Sequence, residues 1–404
     1  MRLLKSFRQI PQNMWILAAT TLINRSGSMV VPYLVLYLTK GVGIPLSQAS
    51  LIVAAYGIGS MVASPFSGRL CDKFGAVNVM KYSLLFTAIL LVLFPFFNNY
   101  YVILVMAAVL SAVNEAFRPA NLTLIADIVP HEQRKTAYAV NRLAINLGFS
   151  IGPVIGGFIF AIDPHFIFYI DGLGHFAAWL YLAYHAKKFE TGEHYNVRSG
   201  EGTPEKKKFQ QAFRDHRYML YLIAMFPVTL VFFQHFAMMP VYITKDLAMS
   251  EKMLGILFLV NTIIIIIVEV PLNEYLSHWS DIKSIAVGSV LTGIGFGMMT
   301  ISHDFALLIL TIVIWTFGEM IFFPASTNFI AQISEGKNTG EYMGYYQVLF
   351  NISFTTAAPL GTLIYEGLGA QMLWLSTFFM AMITVGLMYF LRDMDKKKAV
   401  SAGA

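Results

Sequence analysis

The sequence is poor in charged residues along its whole length. Asp, Glu, Lys and Arg make up 13% of its 404 residues, about half of their share in soluble domains. Uninterrupted apolar runs such as "IIIIIV" recur from one end of the chain to the other. We therefore predict an all-α membrane protein that crosses the bilayer many times. A β-barrel would instead show short segments of alternating hydrophobicity.

The scarcity of cysteine and the absence of known catalytic and cofactor-binding motifs limit the functions that the protein can have. The single cysteine, Cys71, excludes an intramolecular disulfide and a thiolate metal cluster. The sequence contains no phosphate-binding loop, dinucleotide fingerprint or zinc-binding helix motif, so we expect no enzyme, no metal site and no cofactor. The basic start runs straight into an apolar segment without a cleavage site, and we expect no cleavable signal peptide.

Twelve apolar spans follow from the hydrophobic pattern. They are 12–39, 46–70, 80–97, 101–126, 137–161, 165–186, 217–243, 253–276, 282–301, 304–332, 340–366 and 370–391, called spans 1 to 12 below. Most connections are short, but a polar segment separates the sixth span from the seventh. We predict two six-helix bundles, 1–186 and 217–404, joined by a cytoplasmic linker at 187–216.

The distribution of basic residues predicts the orientation. With the N-terminus inside, 22 of the 28 Lys and Arg fall on cytoplasmic segments and three on external loops. Cytoplasmic loops of membrane proteins carry an excess of Lys and Arg. Both termini are therefore expected in the cytoplasm, in a bacterial-type inner membrane. The same bias explains the net charge of +5 without nucleic-acid binding.

The two halves repeat each other. Pro32 and Pro65 in the first two spans correspond to Pro240 and Pro271 in spans 7 and 8. The stretch "NEAFRPANLTLIADI" of span 4 is similar to "GEMIFFPASTNFIAQI" of span 10. A duplicated six-span unit with matching helix breakers is typical of secondary transporters, whose substrate site lies near the bilayer midplane. We therefore predict two pseudo-symmetric bundles.

The loop between spans 2 and 3 carries a family resemblance. Its sequence "GRLCDKFG" resembles the G-x-x-x-D-[RK]-x-G motif of the major facilitator superfamily. In that family the acidic residue interacts with the N-terminal end of span 11, where the helix dipole attracts an anion. The resemblance implies a major facilitator fold and a conformational latch between the halves, formed by Gly68, Asp72, Lys73 and Gly75.

Span 5 points to a branch of the same family. Its sequence "GFSIGPVIGG" resembles the motif of the twelve-span drug/proton antiporters. Gly148, Gly152 and Gly156 recur every four residues, beside Pro153 and Gly157, and make a smooth helix face that allows close packing. The family fold implies that this face is a sliding seam against span 8 of the other half.

Ionisable residues inside the spans are candidate functional groups, because they are costly in the membrane. The resemblance implies that spans 1, 4, 7 and 10 line a central cavity. The candidates for substrate binding and proton coupling are Arg25, Glu115, Arg118, His235, Glu269 and Glu319. Glu115 and Arg118 share a helix face and can pair. A static pair that only satisfies buried charge is the alternative.

Four other charged or titratable residues are interpreted as structural. Asp171 and His175 lie four residues apart on span 6 and can pair there, or lie near the external surface. Arg142 and Asp127 lie close to the cytoplasmic ends of their spans, where a charge is cheap because the side chain can reach the interface. His235 is also typical of a hydrogen-bonded wall residue, next to Gln234.

Two transport functions fit these observations. The first is proton-coupled export of an amphipathic small molecule by antiport, which the span 5 motif favours. The alternative is proton-coupled uptake of a polar nutrient such as a peptide or sugar, since span 1 is also similar to that of proton/peptide symporters. A membrane sensor or scaffold is a third class, which would need no titratable groups in a cavity. We expect a monomer that binds a small-molecule substrate, protons and lipid, with the proton gradient as energy source.

Overall fold

The protein is helical throughout the part that the structure describes. The computed structural model describes residues 10–190, 211–335 and 339–402, and within these ranges no strand occurs. The chain separates into two compact units, Met1–Thr203 and Pro204–Ala404. The bundle and linker boundaries at 1–186, 187–216 and 217–404 remain a prediction, because residues 191–210 lie outside the described ranges.

Helices cover all six predicted spans of the first unit. They are Gln12–Ser26 and Val30–Leu36 in span 1, Leu46–Phe74 in span 2, Ala76–Leu93 in span 3, Tyr100–Glu115 and Phe117–Ile128 in span 4, His131–Phe160 in span 5 and Phe166–His185 in span 6, followed by the short helix Lys187–Glu190.

The second unit repeats this arrangement. Its helices are Gln211–Arg214, then His216–Phe232, Gln234–Ala237 and Met239–Val241 in span 7, Glu251–Tyr275 in span 8, Asp281–Gly297 in span 9, Phe305–Ile333 in span 10, Thr339–Leu368 in span 11 and Ala370–Ala402 in span 12.

Eleven helical segments of the described ranges are long and apolar enough to cross a bilayer. Span 1 is the exception, because its helix ends at Ser26 and a second helix begins only at Val30. The predicted all-α, multi-span architecture is confirmed. The break lies in the polar stretch "NRSGS", residues 24–28, which the hydrophobic pattern joins with the apolar residues on either side into one span.

The two units pack their spans in the same order. In the first unit span 1 packs on spans 5 and 6, span 2 on span 4, and span 3 on span 6. In the second unit the corresponding pairs are span 7 with spans 11 and 12, span 8 with span 10, and span 9 with span 12. This agreement confirms the pseudo-symmetry that the proline positions predict.

Glycines let neighbouring helices approach closely in both units. An added Cβ at Gly59 of span 2 would strike the carbonyl oxygen of Ala108 in span 4. In span 9, an added Cβ at Gly288 would lie 2.8 Å from the backbone nitrogen of Phe322 in span 10. Close backbone approach of this kind strengthens helix packing where water is absent.

The outer surface suits a hydrocarbon solvent. Large apolar side chains such as Val270 and Leu363 are 73% and 70% exposed. Soluble proteins rarely expose large apolar patches. In a bilayer these side chains contact lipid instead of water, so their exposure is not unfavourable.

Spans 1 and 7 end in the same unusual turn. Tyr37–Gly41 and Tyr242–Asp246 are both π-helical. Two residues after each turn the backbone has positive φ, +80° at Gly43 and +50° at Ala248. The turn is thus a third element of the repeat, in addition to the proline positions and the similarity of spans 4 and 10.

The turn between spans 5 and 6 is closed by a partly exposed carboxylate. Asp163 Oδ1 accepts a hydrogen bond of 2.8 Å from the backbone N–H of His165. Bonds to the carboxylate, first from this backbone group and then from the His165 side chain, lower the pKa of Asp163.

Candidate functional site

A break in span 1 is the centre of the first unit's polar structure. The helix stops at Ser26, and the next begins at Val30. The backbone N–H groups of Met29 and Val30 donate to Asp171 Oδ2 on span 6, at 3.2 and 3.1 Å. Helix N-termini leave N–H groups without intrahelical partners and attract negative charge. The buried carboxylate of Asp171 therefore caps the second half of span 1.

Span 6 also approaches the break through its backbone. The Cα of Gly174 would lie 3.3 Å from a Cβ added at Gly27. His175 Nδ1 lies 3.0 Å from the carbonyl oxygen of Asp171 and 3.1 Å from its Oδ1. One sequence interpretation of Asp171 and His175 was a structural pair, and the structure shows that pair. The sequence did not predict that Asp171 also caps a helix.

The glycine face of span 5 packs against the same break. A Cβ at Gly152 would lie 2.6 Å from the carbonyl oxygen of Ser28, and one at Gly156 would lie 2.9 Å from the Tyr33 ring. A Cβ at Gly148 would collide with the Arg25 side chain. The nearest neighbours of this face within the first unit thus belong to span 1, and the seam against span 8 of the other half remains a prediction. Regular glycine spacing indicates close packing, but it does not identify the neighbouring helix.

Pro153 and Gly157 complete this contact surface. Both are buried in the helix of span 5. The Tyr33 hydroxyl donates a 2.8 Å hydrogen bond to the carbonyl oxygen of Pro153. Span 1 and span 5 are therefore joined by a polar contact as well as by close packing.

A chain of polar side chains leads from span 6 to the charged residues of span 4. His175 Nε2 lies 3.3 Å from Asn114 Oδ1, and Asn114 Nδ2 donates to the Tyr56 hydroxyl at 3.5 Å. Glu115 is the last residue of its helix and directly follows Asn114. The break and the candidate carboxylate thus belong to one polar region of the first unit.

Glu115, Arg25 and Arg118 interact electrostatically, as the sequence predicts. Glu115 feels the charges of Arg118 and Arg25, in that order of strength. Span 4 is interrupted at Ala116, so Glu115 ends one helix and Arg118 lies in the first turn of the next. The Arg25 guanidinium also lies over the Phe149 ring, 5.1 Å from its centroid.

A cavity of about 160 Å³ opens beside these arginines. Spans 1, 4 and 5 line it. Three of the lining side chains are the arginines Arg25, Arg118 and Arg142, and among the ten described lining residues none is acidic. Arg142 therefore lines the cavity. The sequence interpretation had treated it as a structural residue near the cytoplasmic end of its span.

The floor of the cavity is a buried hydrogen-bonded network. Asn121 Nδ2 donates to Asn141 Oδ1 at 2.9 Å and to Thr21 Oγ1 at 3.1 Å. The Thr21 hydroxyl lies 3.3 Å from the same Asn141 oxygen, to which it donates. Buried polar groups are retained where they are hydrogen-bonded, and here they hold three spans in fixed register.

The second unit holds a carboxylate bound by a neutral amide. Glu319 Oε2 accepts a 3.1 Å hydrogen bond from Asn261 Nδ2, which also donates to Thr316 Oγ1 at 2.9 Å. The partly buried Glu319 feels the charge of Glu269 on span 8. The pair of carboxylates that the sequence singles out in spans 8 and 10 thus lies in one electrostatic environment.

His235 is enclosed by aromatic rings. It is 5% exposed, and its Nδ1 donates to the carbonyl oxygen of Phe232. The rings of Phe236 and Trp315 lie 3.7 and 5.6 Å from it, measured between centroids. This environment favours the wall-residue interpretation of His235 over a role in proton coupling.

The loop between spans 2 and 3 is a tight turn. Gly75 has a φ of +80° and separates the helix that ends at Phe74 from the one that begins at Ala76. A residue with a side chain adopts this conformation at a cost, so the second glycine of the motif is needed for the turn. Asp72 and Lys73 are exposed. The packing around Gly68 lies outside the described part, and the latch to span 11 remains a prediction.

Several residues of these sites were missed from the sequence. The sequence did not predict that Asp171 caps a helix or that Arg142 lines the cavity. It also did not single out the buried amides Asn121, Asn141 and Asn261. Asn and Thr within apolar spans are a usable signal, because a buried polar group requires a partner. Within the described residues, no group of His, Cys, Asp and Glu side chains is arranged to hold a metal ion.

Comparison with known proteins assigns the fold. Residues 14–279 and 236–404 match the family model of the Major Facilitator Superfamily. The structure of a POT family transporter in complex with 5-aminolevulinic acid superposes with a TM-score of 0.76 at 13% identity, covering 96% of each chain. A mutant of the peptide transporter POT superposes with a TM-score of 0.77 at 15% identity, over 96% of this chain and 95% of that one.

Sequence relatives agree with this assignment. The uncharacterized MFS-type transporter YqjV of Bacillus subtilis (strain 168) is 24% identical over 84% of this chain and 83% of its own. YttB of the same organism, also an uncharacterized MFS-type transporter, is 21% identical over 96% and 98%. The quinolone resistance protein NorA of Staphylococcus aureus is 32% identical over 36% of this chain and 37% of its own.

Two pseudo-symmetric six-span units with charged groups inside discontinuous spans define a polytopic membrane transporter. Its relatives and structural neighbours are transporters and not enzymes. The chain belongs to the Major Facilitator Superfamily.

Proposed function

We propose that the protein is a proton-coupled antiporter that exports an amphipathic small molecule. The observation that carries this proposal is Glu319, a carboxylate within a span whose hydrogen bond comes from the neutral amide of Asn261. A carboxylate held without a neighbouring cation can take up and release a proton without breaking an ion pair. Such a group can exchange a proton for a substrate group that needs the same oxygen atoms.

Two further observations support export. The span 5 motif resembles that of drug/proton antiporters, and the chain is similar over about a third of its length to a protein named for quinolone resistance. Resistance to a drug can arise when the drug is removed from the cell. We further propose a monomer in a bacterial-type inner membrane with both termini in the cytoplasm.

Flux measurements in proteoliposomes test the proposal. The purified protein is reconstituted, a proton gradient is imposed, and movement of fluorescent amphipathic compounds is followed. We expect movement opposite to the proton flow, and its loss in Glu319→Gln. Glu366→Gln, at the end of span 11, is the matched control and keeps the flux. Movement of a polar nutrient along the proton flow, with none of the amphipathic compounds transported, contradicts the proposal.

The arrangement around Glu115 favours a second candidate, proton-coupled uptake of a polar nutrient. A symporter needs its proton and substrate to bind together. An anionic group that binds Arg25 and Arg118 would weaken their attraction for Glu115 and so favour protonation of that carboxylate. The direction of flux relative to the proton gradient separates the two candidates, and Glu115→Gln would abolish coupling in the second.

A further inference from the structure

The arginine cavity of the first unit has a chemistry that the export candidate does not assign, and its third arginine, Arg142, belongs to neither candidate. Three guanidinium groups, of Arg25, Arg118 and Arg142, border one space of about 160 Å³. Arginine presents several N–H donors in a planar fork that matches the oxygen atoms of carboxylates and phosphates. Charged side chains inside apolar spans are rare and often mark the binding site of a substrate or an ion.

One of these arginines has a buried donor that is left unsatisfied. The Nε atom of Arg25 is buried and makes no hydrogen bond within the described part of the chain. Removing a donor from water without supplying a partner is unfavourable. Glu115 attracts Arg25 through its charge, yet it is not among the residues that line the cavity.

The neutral part of the cavity also suits an anion. The Oδ1 atom of Asn141 accepts hydrogen bonds from both Asn121 and Thr21. These two bonds fix the orientation of the Asn141 amide, and its NH₂ group is a hydrogen-bond donor. Tyr138 adds a hydroxyl group to the lining. The floor thus supplies hydrogen-bond donors beside the three positive charges.

The size of the cavity limits what it can hold. Ligand pockets for drug-sized molecules measure about 300–1,000 Å³, and this cavity has the volume of about five water molecules. Phe117, Leu122 and Ile145 form apolar walls next to the arginines. The space therefore fits a charged head group followed by a few carbon atoms.

We propose that the cavity binds the oxyanion head group, a carboxylate or a phosphate, of an amphipathic ligand, with Arg25, Arg118 and Arg142 as its ion partners. The inference rests on the proposed function only in treating this ligand as transported. The binding itself requires no proton gradient. A substrate acid and an anionic lipid share the head-group chemistry, and the experiment distinguishes them.

Equilibrium binding to the purified full-length protein in detergent tests the inference. The probes are 4-phenylbutanoate and its neutral amide, which differ only in the head group. A second pair is short-chain phosphatidylglycerol and the diacylglycerol with the same chains, which lacks the phosphate. We expect at least one oxyanion to bind about tenfold or more tighter than its counterpart, since a charge-assisted bidentate contact is worth at least that factor. Preference in the first pair indicates an acid substrate, and preference only in the second indicates a lipid.

Variants connect that preference to the cavity. Arg142→Gln and Arg118→Gln change exposed side chains, so folding should survive, and each should reduce the preference about tenfold. Arg392→Gln, the same change in the helix Ala370–Ala402 of the second unit, is the control and should retain it. Equal binding of oxyanion and neutral probes in both pairs overturns the inference, as does a preference that survives both cavity variants. Proton-driven flux with no oxyanion preference rejects the inference and leaves the proposed function standing.

Discussion

At the scale of the residue, the carboxylate of Asp171 connects two spans by bonding to backbone. It accepts from the N–H groups of Met29 and Val30, and His175 lies beside it. A salt bridge between side chains would leave the interrupted helix of span 1 without a cap. Here the charge is balanced by the helix terminus and by hydrogen bonds.

We predict that Asp171→Ala destabilises the protein by about 1–2 kcal/mol, the usual cost of a lost N-terminal cap. Asp171→Asn keeps one acceptor oxygen and should lose less. Thermal unfolding in detergent, followed by intrinsic fluorescence, measures both. Asp163→Ala, which removes a similar backbone contact in an exposed turn, is the control. An Asp171→Ala midpoint equal to that of Asp163→Ala contradicts the capping role.

The positive φ of Ala248 gives a second prediction at this scale. A left-handed backbone costs a residue with a side chain about 1–2 kcal/mol, and glycine avoids that cost. The corresponding position after span 1 is Gly43. Ala248→Gly should therefore raise the thermal midpoint, whereas Gly43→Ala should lower it. Shifts of the same sign in the two variants would show that the turns are not equivalent.

At the scale of the element, the glycine face of span 5 fixes the position of span 1. The carbonyl oxygen of Ser28 occupies the place of a side chain at Gly152. The break and the smooth helix face are complementary, because the non-helical backbone bulges into the space that the glycines leave.

We predict that Gly152→Ala destabilises the first unit by about 1–3 kcal/mol, the usual cost of an inserted methyl group in a packed interior. Its Cβ would lie 2.6 Å from a backbone oxygen that has little freedom to move. Gly386→Ala in span 12 is the matched control, since a Cβ there meets nothing within 4 Å. A Gly152→Ala protein as stable as Gly386→Ala would contradict the packing.

The sequence predicts elements better than it predicts their partners. Apolar runs and proline positions place the spans and the repeat, because both are local properties of the chain. The contact of the span 5 glycines with the break in span 1 was not predicted, since spacing along one helix carries no information about its neighbour. The break in span 1 was missed because the polar residues 24–28 were averaged with their apolar neighbours into one span, and polarity alone does not show that backbone hydrogen bonding stops there.

In the candidate site, too, single residues were easier to predict than the contacts between them. Arg25, Glu115 and Arg118 were recognised because a charge in an apolar span stands out by itself. Asn121 and Asn141 matter only through the bonds they make across spans. Such bonds become visible only when the tertiary structure brings residues of three spans together.

At the scale of the whole molecule, the two units share a plan and differ in charge. Their spans pack in the same order, and spans 1 and 7 end in the same π-helical turn. Yet the first unit has an arginine-lined cavity, and the second has Glu319 near Glu269. Duplication thus supplies the scaffold, and later substitution supplies the chemistry.

The predicted orientation can be tested with reporter cysteines. In a Cys71→Ser background, Asp163→Cys lies in the turn after span 5, and Asn78→Cys lies near the turn before span 3. The Asn78 side chain is exposed, and the Asp163 side chain is 43% exposed. A membrane-impermeant maleimide added to intact cells should label the first variant and spare the second. Labelling of the second alone would reverse the topology.

The capped break in span 1 has a mechanical consequence. A continuous helix moves as one rod, so a tilt at one end carries the other end with it. Here Arg25 lies on the rod that ends at Ser26, whereas Tyr33 lies on the rod that begins at Val30 and is anchored to span 6 through Asp171. Gly27 and Ser28, which belong to neither helix, connect the two rods. The cap at Asp171 therefore anchors the helix of Tyr33 directly, and it reaches the helix of Arg25 only through these two residues.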